Sequence, residues 1–421
     1  MRETVISESG NFKLGFFTPG TSSKIYLGIC YNDLGVQKYV WVANRENPLS
    51  DQSSSRLELS EDGNLLLLED SSKKPFWSTN LTHPLSNSTE AVLGDDGNFV
   101  LRESSNPSSI FWQSFDHPTD TWLPGAKLGI DKITGKSKQL ISWKNSEDPA
   151  PGMFSFGLAP NGSSQYILEW NRSQIYWTTG VWNRSEKYFN LARDMLMNYI
   201  SDYSFVSNEN ESYFTYSVKN SSSSSRLRFV IESSGQLQQS SWSNKPWVWT
   251  LFWSRPENIL DVYRLCGAFG VNDENISNPC VCLNGFRPFS IEETNPSDWS
   301  GGCVRKSPLQ CENNTYANGK KDWFMKIPNM GLPGYSKSYL AASAMNCEEA
   351  CMNNCSCTAY AYNSSGCMIW EGALKNLKNL SNGHGIGQDI YLKLAADEYH
   401  STKGRMSEMK STQIYVISIF E

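Results

Sequence analysis

The segment Cys347–Trp370, CEEACMNNCSCTAYAYNSSGCMIW, holds five cysteines in 24 residues. Cys347 and Cys351 are four apart in a run of helix-forming residues, so they share one helix face. Cys355 and Cys357 alternate at the start of TAYAY, which predicts a strand with both sulfurs on one side. The pattern predicts a helix and a strand cross-linked by disulfides, with a zinc site on Cys351-x3-Cys355-x-Cys357 as the alternative.

Asn-x-Ser/Thr sequons are dense along the chain, and a dozen of them beside clustered cysteines indicate passage through the secretory pathway. Disulfides persist in that compartment, so we predict disulfides rather than zinc, with no metal and no cofactor. For any single sequon, chance in a chain rich in Asn and Ser is the alternative. The candidate N-glycosylation sites are Asn80, Asn87, Asn161, Asn171, Asn183, Asn210, Asn220, Asn275, Asn313, Asn354, Asn363 and Asn379.

Composition narrows the fold class and the partners. The chain has 421 residues, which is enough for roughly two to four domains. It is rich in Trp, Tyr, Ser, Asn and Gly, a balance that favours β-strands joined by turns over helices. The formal net charge is −6, and this mild acidity argues against nucleic acid as a partner, because nucleic acid selects basic surfaces.

A repeated unit occupies the N-terminal third. Its copies are GNFKLGFF (Gly10–Phe17), DGNLLLL (Asp62–Leu68) and DGNFVL (Asp96–Leu101). Each contains a turn that tolerates positive φ, followed by a short apolar strand. The last two copies are each followed by Phe-Trp, and the unit recurs at about 35 residues, which indicates internal pseudo-symmetry.

One such unit cannot bury its tryptophan alone. Three units arranged around an axis can meet with Trp41, Trp77 and Trp112 facing inward. The repeat therefore predicts an all-β prism with a central aromatic core.

These residues also carry a resemblance to a known family. The segments YLGIC (Tyr26–Cys30), VWVANRENPL (Val40–Leu49), FWSTN (Phe76–Asn80) and WQSFDHPTDTWLPGAKLG (Trp112–Gly129) resemble the bulb-type mannose-binding lectin domain of plant S-locus glycoproteins and S-domain receptor kinases. Family members normally have an earlier strand and a signal peptide, and we expect that both are missing from this sequence.

The resemblance allows mannose binding to be judged residue by residue. The family's sugar motif is Q-x-D-x-N-x-V-x-Y, in which Gln, Asp, Asn and Tyr form a polar cradle for sugar hydroxyls and Val packs against the ring. Here Asp and Asn are kept, whereas Gln and Tyr are replaced. Because Asp and Asn also serve the turn, we expect turn scaffolding and weak or absent mannose binding. The two copies are Ser60, Asp62, Asn64, Leu66 and Leu68, and Gly94, Asp96, Asn98, Val100 and Arg102.

The segment FDHPTDT (Phe115–Thr121) brings Asp116, His117 and Asp120 together, residue types that perform acid–base chemistry. It is a Pro-punctuated turn with no nucleophile motif or second histidine nearby, and the four His of the chain show no metal-ligand spacing. We therefore predict no catalytic residue and no metal site, and expect the carboxylates to bond the turn backbone.

From Ala126 to Pro256 the sequence continues to predict short strands separated by turns. DPAPGMFSFGL (Asp148–Leu158) and SSGQLQ (Ser233–Gln238) resemble the S-locus glycoprotein domain, which the family builds as a second lectin-like β domain without an assigned sugar site. The resemblance implies that exposed loops of this domain contact ligand, without indicating which ones.

Four cysteines follow in a segment that resembles the EGF-like module of the same family. The resemblance implies the pairs Cys266–Cys280 and Cys282–Cys303. EGF-like modules usually have six cysteines, and Leu260 and Asn272 stand where the first and third would be. One whole bridge is therefore missing, which predicts a looser joint between the β domains and the C-terminal module.

The opening segment, with WFMKIPNM (Trp323–Met330) and DIYLKLA (Asp389–Ala395), resembles the PAN/apple domain of S-domain receptors, in which a helix packs on a small antiparallel sheet. The resemblance implies the pairs Cys347–Cys367, Cys351–Cys357 and Cys311–Cys355.

Cys30 is then left as a free thiol, at a position where the family usually has Trp. We interpret it as a small buried hydrophobe, with a reactive thiol or an intermolecular bridge as the alternative. Cys in place of Trp also predicts a packing deficit in the first domain.

The resemblance covers practically the whole chain and implies a mainly β, multidomain, disulfide-stapled protein. Its parts are a bulb-type lectin β-prism (1–125), an S-locus glycoprotein domain as a second lectin-like prism (126–256), a degenerate EGF-like module (257–304), an α+β PAN/apple domain (311–395) and a juxtamembrane stub (396–421). The apolar segment Ile414–Phe420 is too short to span a bilayer, and we interpret it as the start of a truncated membrane helix, with a frayed apolar tail as the alternative.

The resemblance implies the extracellular ligand-recognition region of a plant S-domain receptor-like kinase or S-locus-like glycoprotein, at the plasma membrane or secreted, acting in pollen recognition or defence. The implied partner is a small secreted cysteine-rich peptide or a glycan, with a ligand-linked homodimer. The chain contains no H-R-D or D-F-G motif, so we predict no enzyme activity. The alternative function is a secreted mannose- or glycan-binding defence lectin, or a decoy that sequesters ligand.

Overall fold

The computed structural model describes residues 4–32, 37–70, 72, 74–82, 89–196, 201–219, 226–244, 247–272, 280–289, 299, 301–310, 321–380 and 387–399. The chain divides into two compact units, Met1–Val262 and Tyr263–Glu421. Regular structure in the described residues is almost all β-sheet, with short 3-10 turns at Ser114–Asp116, Arg193–Leu196 and Ile259–Asp261. The mainly β fold class predicted from the sequence is confirmed.

Three antiparallel sheets build the first prism. They contain β1 (Val5–Ile6), β2 (Phe12–Phe17), β3 (Tyr26–Tyr31) and β4 (Tyr39–Val42); β5 (Ser55–Leu59), β6 (Leu65–Glu69) and β7 (Trp77–Ser78); and β8 (Thr89–Leu93), β9 (Phe99–Glu103) and β10 (Asn106–Gln113). The three repeated segments of the sequence supply β2, β6 and β9. Each of these strands turns buried side chains to one side, so the three sheets share one core.

Three tryptophans meet at the centre of this prism, as the repeat predicts. The ring centroids of Trp41 and Trp77 lie 5.9 Å apart, those of Trp41 and Trp112 also 5.9 Å, and those of Trp77 and Trp112 5.6 Å. All three pairs pack edge to face, the arrangement in which aromatic quadrupoles attract. The pseudo-threefold core predicted from the sequence is therefore confirmed.

A second set of sheets builds the second prism of the same unit. They contain β11 (Thr121–Trp122), β22 (Arg226–Ile231), β23 (Leu237–Asn244) and β24 (Trp247–Arg255); β12 (Leu128–Asp131), β13 (Ser137–Lys138), β20 (Ser201–Ser207) and β21 (Glu211–Val218); β14 (Leu140–Asn145), β15 (Asp148–Leu158), β16 (Tyr166–Trp170) and β17 (Gln174–Thr178); and the hairpin of β18 (Trp182–Asn183) and β19 (Tyr188–Phe189). Its core is aromatic as well, with Trp122 4.6 Å from Tyr216 and 5.1 Å from Phe229 between ring centroids.

Arg45 ties the two prisms together. Its buried guanidinium donates hydrogen bonds to three carbonyl oxygens of the second prism, those of Pro149 (2.5 Å), Ile141 (3.0 Å) and Ser142 (2.6 Å). Burial lowers the pKa of Arg45, and the buried carboxyl of Asp120 opposes that shift. Because a buried guanidinium needs every donor satisfied, these contacts fix the two prisms against each other.

The second unit is organised around one eight-stranded sheet. Its strands, in spatial order, are β26 (Cys280–Cys282), β25 (Gly270–Asn272), β33 (Leu377–Asn379), β29 (Trp323–Gly331), β34 (Gln388–Leu394), β31 (Cys357–Asn363), β32 (Gly366–Glu371) and β30 (Lys337–Tyr339); β27 (Phe286–Pro288) and β28 (Cys303–Arg305) form a separate hairpin. The segment expected to be EGF-like and the segment expected to be PAN/apple thus share one sheet and one core.

Strand β25 is an interior strand of the second unit. It pairs antiparallel with β26 and parallel with β33, where Val271 lies opposite Leu377. Its Val271 side chain is buried in the core of the sheet. Pairing on both edges constrains Gly270–Asn272 although one bridge of the EGF-like pattern is missing. The looser joint between the β domains and the C-terminal module stays a prediction.

Helix α1 (Ala344–Asn353) packs on β31 and β32. It begins after Ser343, whose hydroxyl accepts a hydrogen bond from the Asn346 amide at 3.2 Å. Cys347 and Cys351 lie on its buried face, as the sequence predicts. Among the described residues the disulfides are Cys266–Cys280, Cys282–Cys303, Cys347–Cys367 and Cys351–Cys357.

The position of Cys355 differs from the expectation. Strand β31 begins only at Cys357, and Cys355 lies in the turn before it. Asn354 makes this turn, because its side-chain oxygen accepts from the Ser356 amide (3.0 Å) and its carbonyl from the Cys357 amide (3.0 Å). Cys355 is disulfide-bonded, and Cys311, its implied partner, lies outside the described residues.

No helix in the described part of the chain is long and apolar enough to cross a bilayer. The segment Ile414–Phe420, interpreted from the sequence as the start of a membrane helix, lies outside the described residues.

Candidate functional site

The first copy of the sugar motif forms a closed turn. The Ser60 amide donates to the Asn64 carbonyl (2.9 Å) and the Gly63 amide to the Ser60 carbonyl (2.9 Å). Asp62 accepts from the Asn64 amide (3.2 Å) and from the Asn64 side chain (3.1 Å). Hydrogen bonds, the largest from the Ser60 hydroxyl, hold the pKa of the Asp62 carboxyl below its ordinary value. The Asp and Asn of this copy thus bond to their own turn.

Asn64 also holds the strand end that follows the tryptophan. Its side chain is 6% exposed, accepts from the Thr79 hydroxyl (2.9 Å) and the Leu81 amide (2.7 Å), and donates to the Leu81 carbonyl (3.3 Å). Each polar atom of the amide therefore has at least two partners within the fold, which fills its hydrogen-bonding capacity. An amide in this state has no group left for a sugar hydroxyl.

The second copy repeats this arrangement. The Gly94 amide donates to the Asn98 carbonyl (2.8 Å), and Asp96 accepts from the Asn98 amide (2.9 Å). The Asn98 side chain, 9% exposed, donates to Gln113 (2.9 Å) and accepts from the Ser114 hydroxyl and the Phe115 amide, both at 3.2 Å. Burial raises the pKa of the Asp96 carboxyl. Two turns related by pseudo-symmetry use their Asp and Asn in the same structural role.

The remaining motif positions carry no sugar-binding group. Leu66, Leu68 and Val100 are half-buried and apolar. Arg102, which stands where the motif has Tyr, donates to the Glu90 carboxylate at 2.8 Å. A Cβ added at Gly94, where the motif has Gln, would lie 2.5 Å from Asp96 Oδ1, so a side chain here would require the Asp96 carboxylate to shift. The geometry supports a scaffold rather than a polar cradle for mannose.

Three segments match known families, in the order that the sequence implies. Residues 38–144 match D-mannose binding lectin, residues 177–290 the S-locus glycoprotein domain and residues 311–377 the PAN-like domain. An S-locus-specific glycoprotein (S6) of Brassica oleracea is 38% identical over 403 residues, which cover 93% of this chain and 88% of that protein. The chain belongs to the S-locus glycoprotein family.

Receptor kinases of the same S-domain family match over the same region. A G-type lectin S-receptor-like serine/threonine-protein kinase of Arabidopsis thaliana is 44% identical over 401 residues, covering 94% of this chain and 47% of that protein. The receptor-like serine/threonine-protein kinase SD1-8 of Arabidopsis thaliana is 38% identical over 423 residues, covering 98% and 48%. The S-domain chain therefore spans about half the length of the receptor kinases that it matches.

The candidate acid–base residues of this S-domain chain do not converge. Asp116 accepts from the Lys138 ammonium (2.5 Å) and from Gln113 (3.1 Å). His117 stacks on Trp112 with ring centroids 5.3 Å apart, and burial lowers its pKa. Asp120 is buried, accepts from the Thr119 hydroxyl (3.1 Å), and has a pKa raised by burial. Each group serves the junction between the prisms.

The described sequons differ in what their side-chain amides contact. Asn354 donates to Glu371 at 3.0 Å, and Asn363 donates to Gln388. Asn183 uses its oxygen to accept from Ser185 and Glu186. Asn161 likewise accepts from the Ser163 amide. Asn80, Asn161, Asn171 and Asn210 are exposed, and Asn379 is half-buried. Asn87, Asn220, Asn275 and Asn313 lie outside the described residues.

Cys30 is a free cysteine, buried within β3. It lies opposite Lys13 on β2 and Tyr39 on β4. Burial raises the pKa of its thiol to about 11, so the reactive thiolate is scarce at neutral pH. This environment supports the interpretation of Cys30 as a small buried hydrophobe.

Sequence reasoning missed Arg45 as a key residue. Its segment VWVANRENPL is prominent, but the carbonyl groups that Arg45 contacts lie 96 to 104 residues further along the chain. Among the described residues, His, Cys, Asp and Glu form no group of three that could hold a metal ion.

Proposed function

We propose that this chain is the extracellular ligand-recognition region of a plant S-domain receptor-like kinase or S-locus-like glycoprotein, at the outer face of the plasma membrane or secreted. Its ligand in this proposal is a protein or peptide, in particular a small secreted cysteine-rich peptide, and its role is cell-surface signalling in pollen recognition or defence.

The observation that carries the proposal is that the side chains of Asn64 and Asn98 are hydrogen-bonded within the fold. The lectin prism is kept, with its tryptophan core, while the polar side chains that would bind a sugar are bonded to their own turns. A lectin prism whose motif side chains do not bind sugar can still serve as a rigid scaffold for exposed loops. Recognition residues usually lie on such loops. The match over most of an S-locus-specific glycoprotein supports the same conclusion.

Light scattering on the secreted, purified chain tests this function. We expect a monomer alone, and about twice the monomer mass with a cognate cysteine-rich peptide, because a bridging ligand joins two weak surfaces. The probes are synthetic, oxidised cysteine-rich peptides, and the matched control is each peptide after reduction and alkylation. Unchanged mass and no binding with every oxidised peptide, together with saturable binding of a glycan, would contradict the proposal.

A secreted glycan-binding defence lectin or a ligand-sequestering decoy is the second candidate. The match of residues 38–144 to D-mannose binding lectin favours it. A glycan array separates the two functions, because a lectin binds glycans without any peptide. Binding to oligomannose that is lost on substitution of Asn64 and Asn98 would favour the lectin.

We infer that this chain is not itself an enzyme. The sequence has no H-R-D or D-F-G motif for phosphoryl transfer. Asp116, His117 and Asp120, the acid–base residue types of the segment FDHPTDT, are used in packing and hydrogen bonds at the junction between the prisms.

A further inference from the structure

A cleft of about 120 Å³ opens on the outer face of the second prism, away from both copies of the sugar motif. Strands β12, β13 and β21 form its floor. Gly129 lies in register between Lys138 on one side and Tyr213 on the other. A Cβ added at Gly129 would lie 2.0 Å from the Ser212 carbonyl oxygen, so the glycine lets β12 and β21 approach each other closely. The side chains of Lys138 and Tyr213, which pair with Gly129 from either side, line the cleft.

The walls of the cleft combine apolar and charged groups. Tyr213 forms one wall, with the Lys127 ammonium 4.2 Å from its ring centroid. Asp131 contributes a carboxylate whose Oδ1 accepts from the Ile133 and Thr134 amides, at 2.9 and 3.0 Å. Ile133 lies at the rim and is 74% exposed. An aromatic ring beside an aliphatic side chain and charged hydrogen-bonding groups is the chemistry that recognises a sugar ring with polar substituents.

Asn210 also lines the cleft and begins the sequon Asn210-Glu211-Ser212. It lies at the turn between β20 and β21 and is exposed. Its backbone is held on both sides, because its amide donates to Asn208 Oδ1 at 2.9 Å and its carbonyl accepts from the Lys132 amide at 2.7 Å. Its side-chain amide has no hydrogen-bond partner among the described residues. Asn210 is thus an ordered attachment point at the edge of the cleft.

We propose that Asn210 carries an N-glycan and that the first N-acetylglucosamine of this glycan lies in the cleft, against Tyr213 and Ile133. The apolar face of the sugar covers the exposed Ile133 side chain, and its hydroxyl and N-acetyl groups meet Lys127, Lys138 and Asp131. The second prism thus binds a sugar that belongs to its own chain. This requires only that the chain enters the secretory pathway, and it is independent of the ligand proposed above.

Asn161 provides the matched control. It begins a sequon, lies in an exposed turn of the same prism, and accepts from the Ser163 amide at 3.0 Å. It does not line the cleft. A glycan on Asn161 should therefore project into solvent without covering a lysine of the cleft.

The test uses the full chain, secreted from plant cells behind an added signal peptide and kept in the oligomannose form with a mannosidase inhibitor. Glycopeptide mass spectrometry measures occupancy at Asn210. Acetylation of lysines, followed by mass spectrometry, then measures protection of Lys127 and Lys138. Lys24 belongs to the first prism and has a 47% exposed side chain, so it serves as the internal reference.

We expect Asn210 to be occupied, and Lys127 and Lys138 to be acetylated several-fold more slowly than in Asn210→Gln, with Lys24 unchanged. Trimming by an endoglycosidase to a single N-acetylglucosamine should retain the protection, because that sugar fills the cleft. Asn161→Gln should leave the protection intact, and Tyr213→Ala should reduce it while occupancy stays the same.

An unmodified Asn210 would overturn the proposal. Equal acetylation of Lys127 in the glycosylated chain and in Asn210→Gln would also overturn it, because the glycan would then point into solvent. Trimming leaves the sequence unchanged. Lysine protection before and after trimming can therefore be compared even if Tyr213→Ala folds poorly. Loss of protection on trimming would contradict the position given to the first sugar.

Discussion

At the scale of single residues, a substitution of Asn64 tests whether its side chain stabilises the turn of the first motif copy. Asn64→Ala removes the partners of the Thr79 hydroxyl and the Leu81 amide inside the fold. We expect the free energy of unfolding of the first unit to fall by about 2–3 kcal/mol, because buried polar groups lose their hydrogen bonds. Urea denaturation followed by tryptophan fluorescence measures this change.

Glu61→Ala is the matched control, since Glu61 lies exposed in the same turn. Its effect should stay within about 0.5 kcal/mol, as for most surface substitutions. Equal effects of the two substitutions would show that Asn64 does not hold the turn.

The thiol of Cys30 should be inert in the folded protein. Burial raises its pKa to about 11 in the fold, against an ordinary value of 9.0 for a free thiol. We expect its reaction with a disulfide reagent at pH 8 to be at least about 100-fold slower in buffer than in urea, since both the thiolate fraction and access are reduced. Comparable rates in the two solvents would contradict the buried position.

The raised pKa of Cys30 also predicts how the stability of the fold changes with pH. Between pH 9 and pH 11 the folded state keeps the Cys30 proton and the unfolded state loses it. Stability from this group is therefore present below pH 9 and falls as the pH rises to about 11. Cys30→Ala should show a smaller decrease in melting temperature over this window than the unmodified chain.

What the sequence predicts at this scale depends on local chemistry. The turn role of Asp62 and Asn64 follows from the Asp-Gly-Asn pattern, and the structure agrees because the turn closes on its own side chains. Arg45 could not be predicted, since its carbonyl partners belong to another prism and backbone carbonyls leave no signal in a sequence.

At the scale of elements, helix α1 is held by a lysine of the sheet beneath it. Lys393 on β34 is 1% exposed, and its ammonium donates to the carbonyl oxygens of Cys351 (3.4 Å), Met352 (3.1 Å) and Asn354 (3.4 Å). These carbonyls end the helix, where a cation is favourable and free acceptors need a partner. Burial lowers the pKa of Lys393.

Lys393→Met should lower the free energy of unfolding of the second unit by about 1–3 kcal/mol, because the Met352 carbonyl loses its Lys393 donor and the Cys351 and Asn354 carbonyls keep only a backbone amide each. Lys326→Met is the control, since that lysine lies on β29, is 53% exposed and pairs with Asp389 on the surface. It should change stability by less than about 1 kcal/mol. If Lys393→Met and Lys326→Met changed denaturant unfolding equally, Lys393 would not stabilise the end of the helix.

Strand β25 gives a second prediction at this scale. Gly270–Asn272 is hydrogen-bonded to β26 on one edge and to β33 on the other. We expect the Val271 amide to exchange with solvent as slowly as amides of β34, since both strands lie inside one sheet. Hydrogen exchange with mass spectrometry tests this, and exchange at the rate of an exposed loop would contradict it.

Some of the secondary-structure elements could be predicted from the sequence, and others could not. Helix spacing places Cys347 and Cys351 on one face, as found. The strand predicted through Cys355 is shortened by the Asn354 turn, since local side-chain bonds compete with strand pairing. The parallel pairing of β25 with β33 joins segments about a hundred residues apart, and strand periodicity does not reveal which distant strands pair.

At the scale of the whole molecule, the chain has a lectin architecture in its first prism. Three tryptophans hold the first prism, and Arg45 joins it to the second. The family matches follow the same order of domains along the chain. The mainly β class was predictable from repeats and composition, and the order of domains from the resemblance of the quoted segments to the S-domain family. Which surface binds a ligand was not, since exposed loops carry no periodic pattern.

Titration of the purified chain with methyl α-mannoside tests the central claim most directly, with a competent bulb lectin as the positive control. The glycans of the chain are first trimmed to single N-acetylglucosamines, so that no mannose of its own competes. We expect no saturable heat at millimolar or lower mannoside, because the side chains of Asn64 and Asn98 are buried and hydrogen-bonded within the fold. Saturable binding in that range, abolished by Asn64→Ala together with Asn98→Ala, would contradict the account and make the chain a mannose lectin.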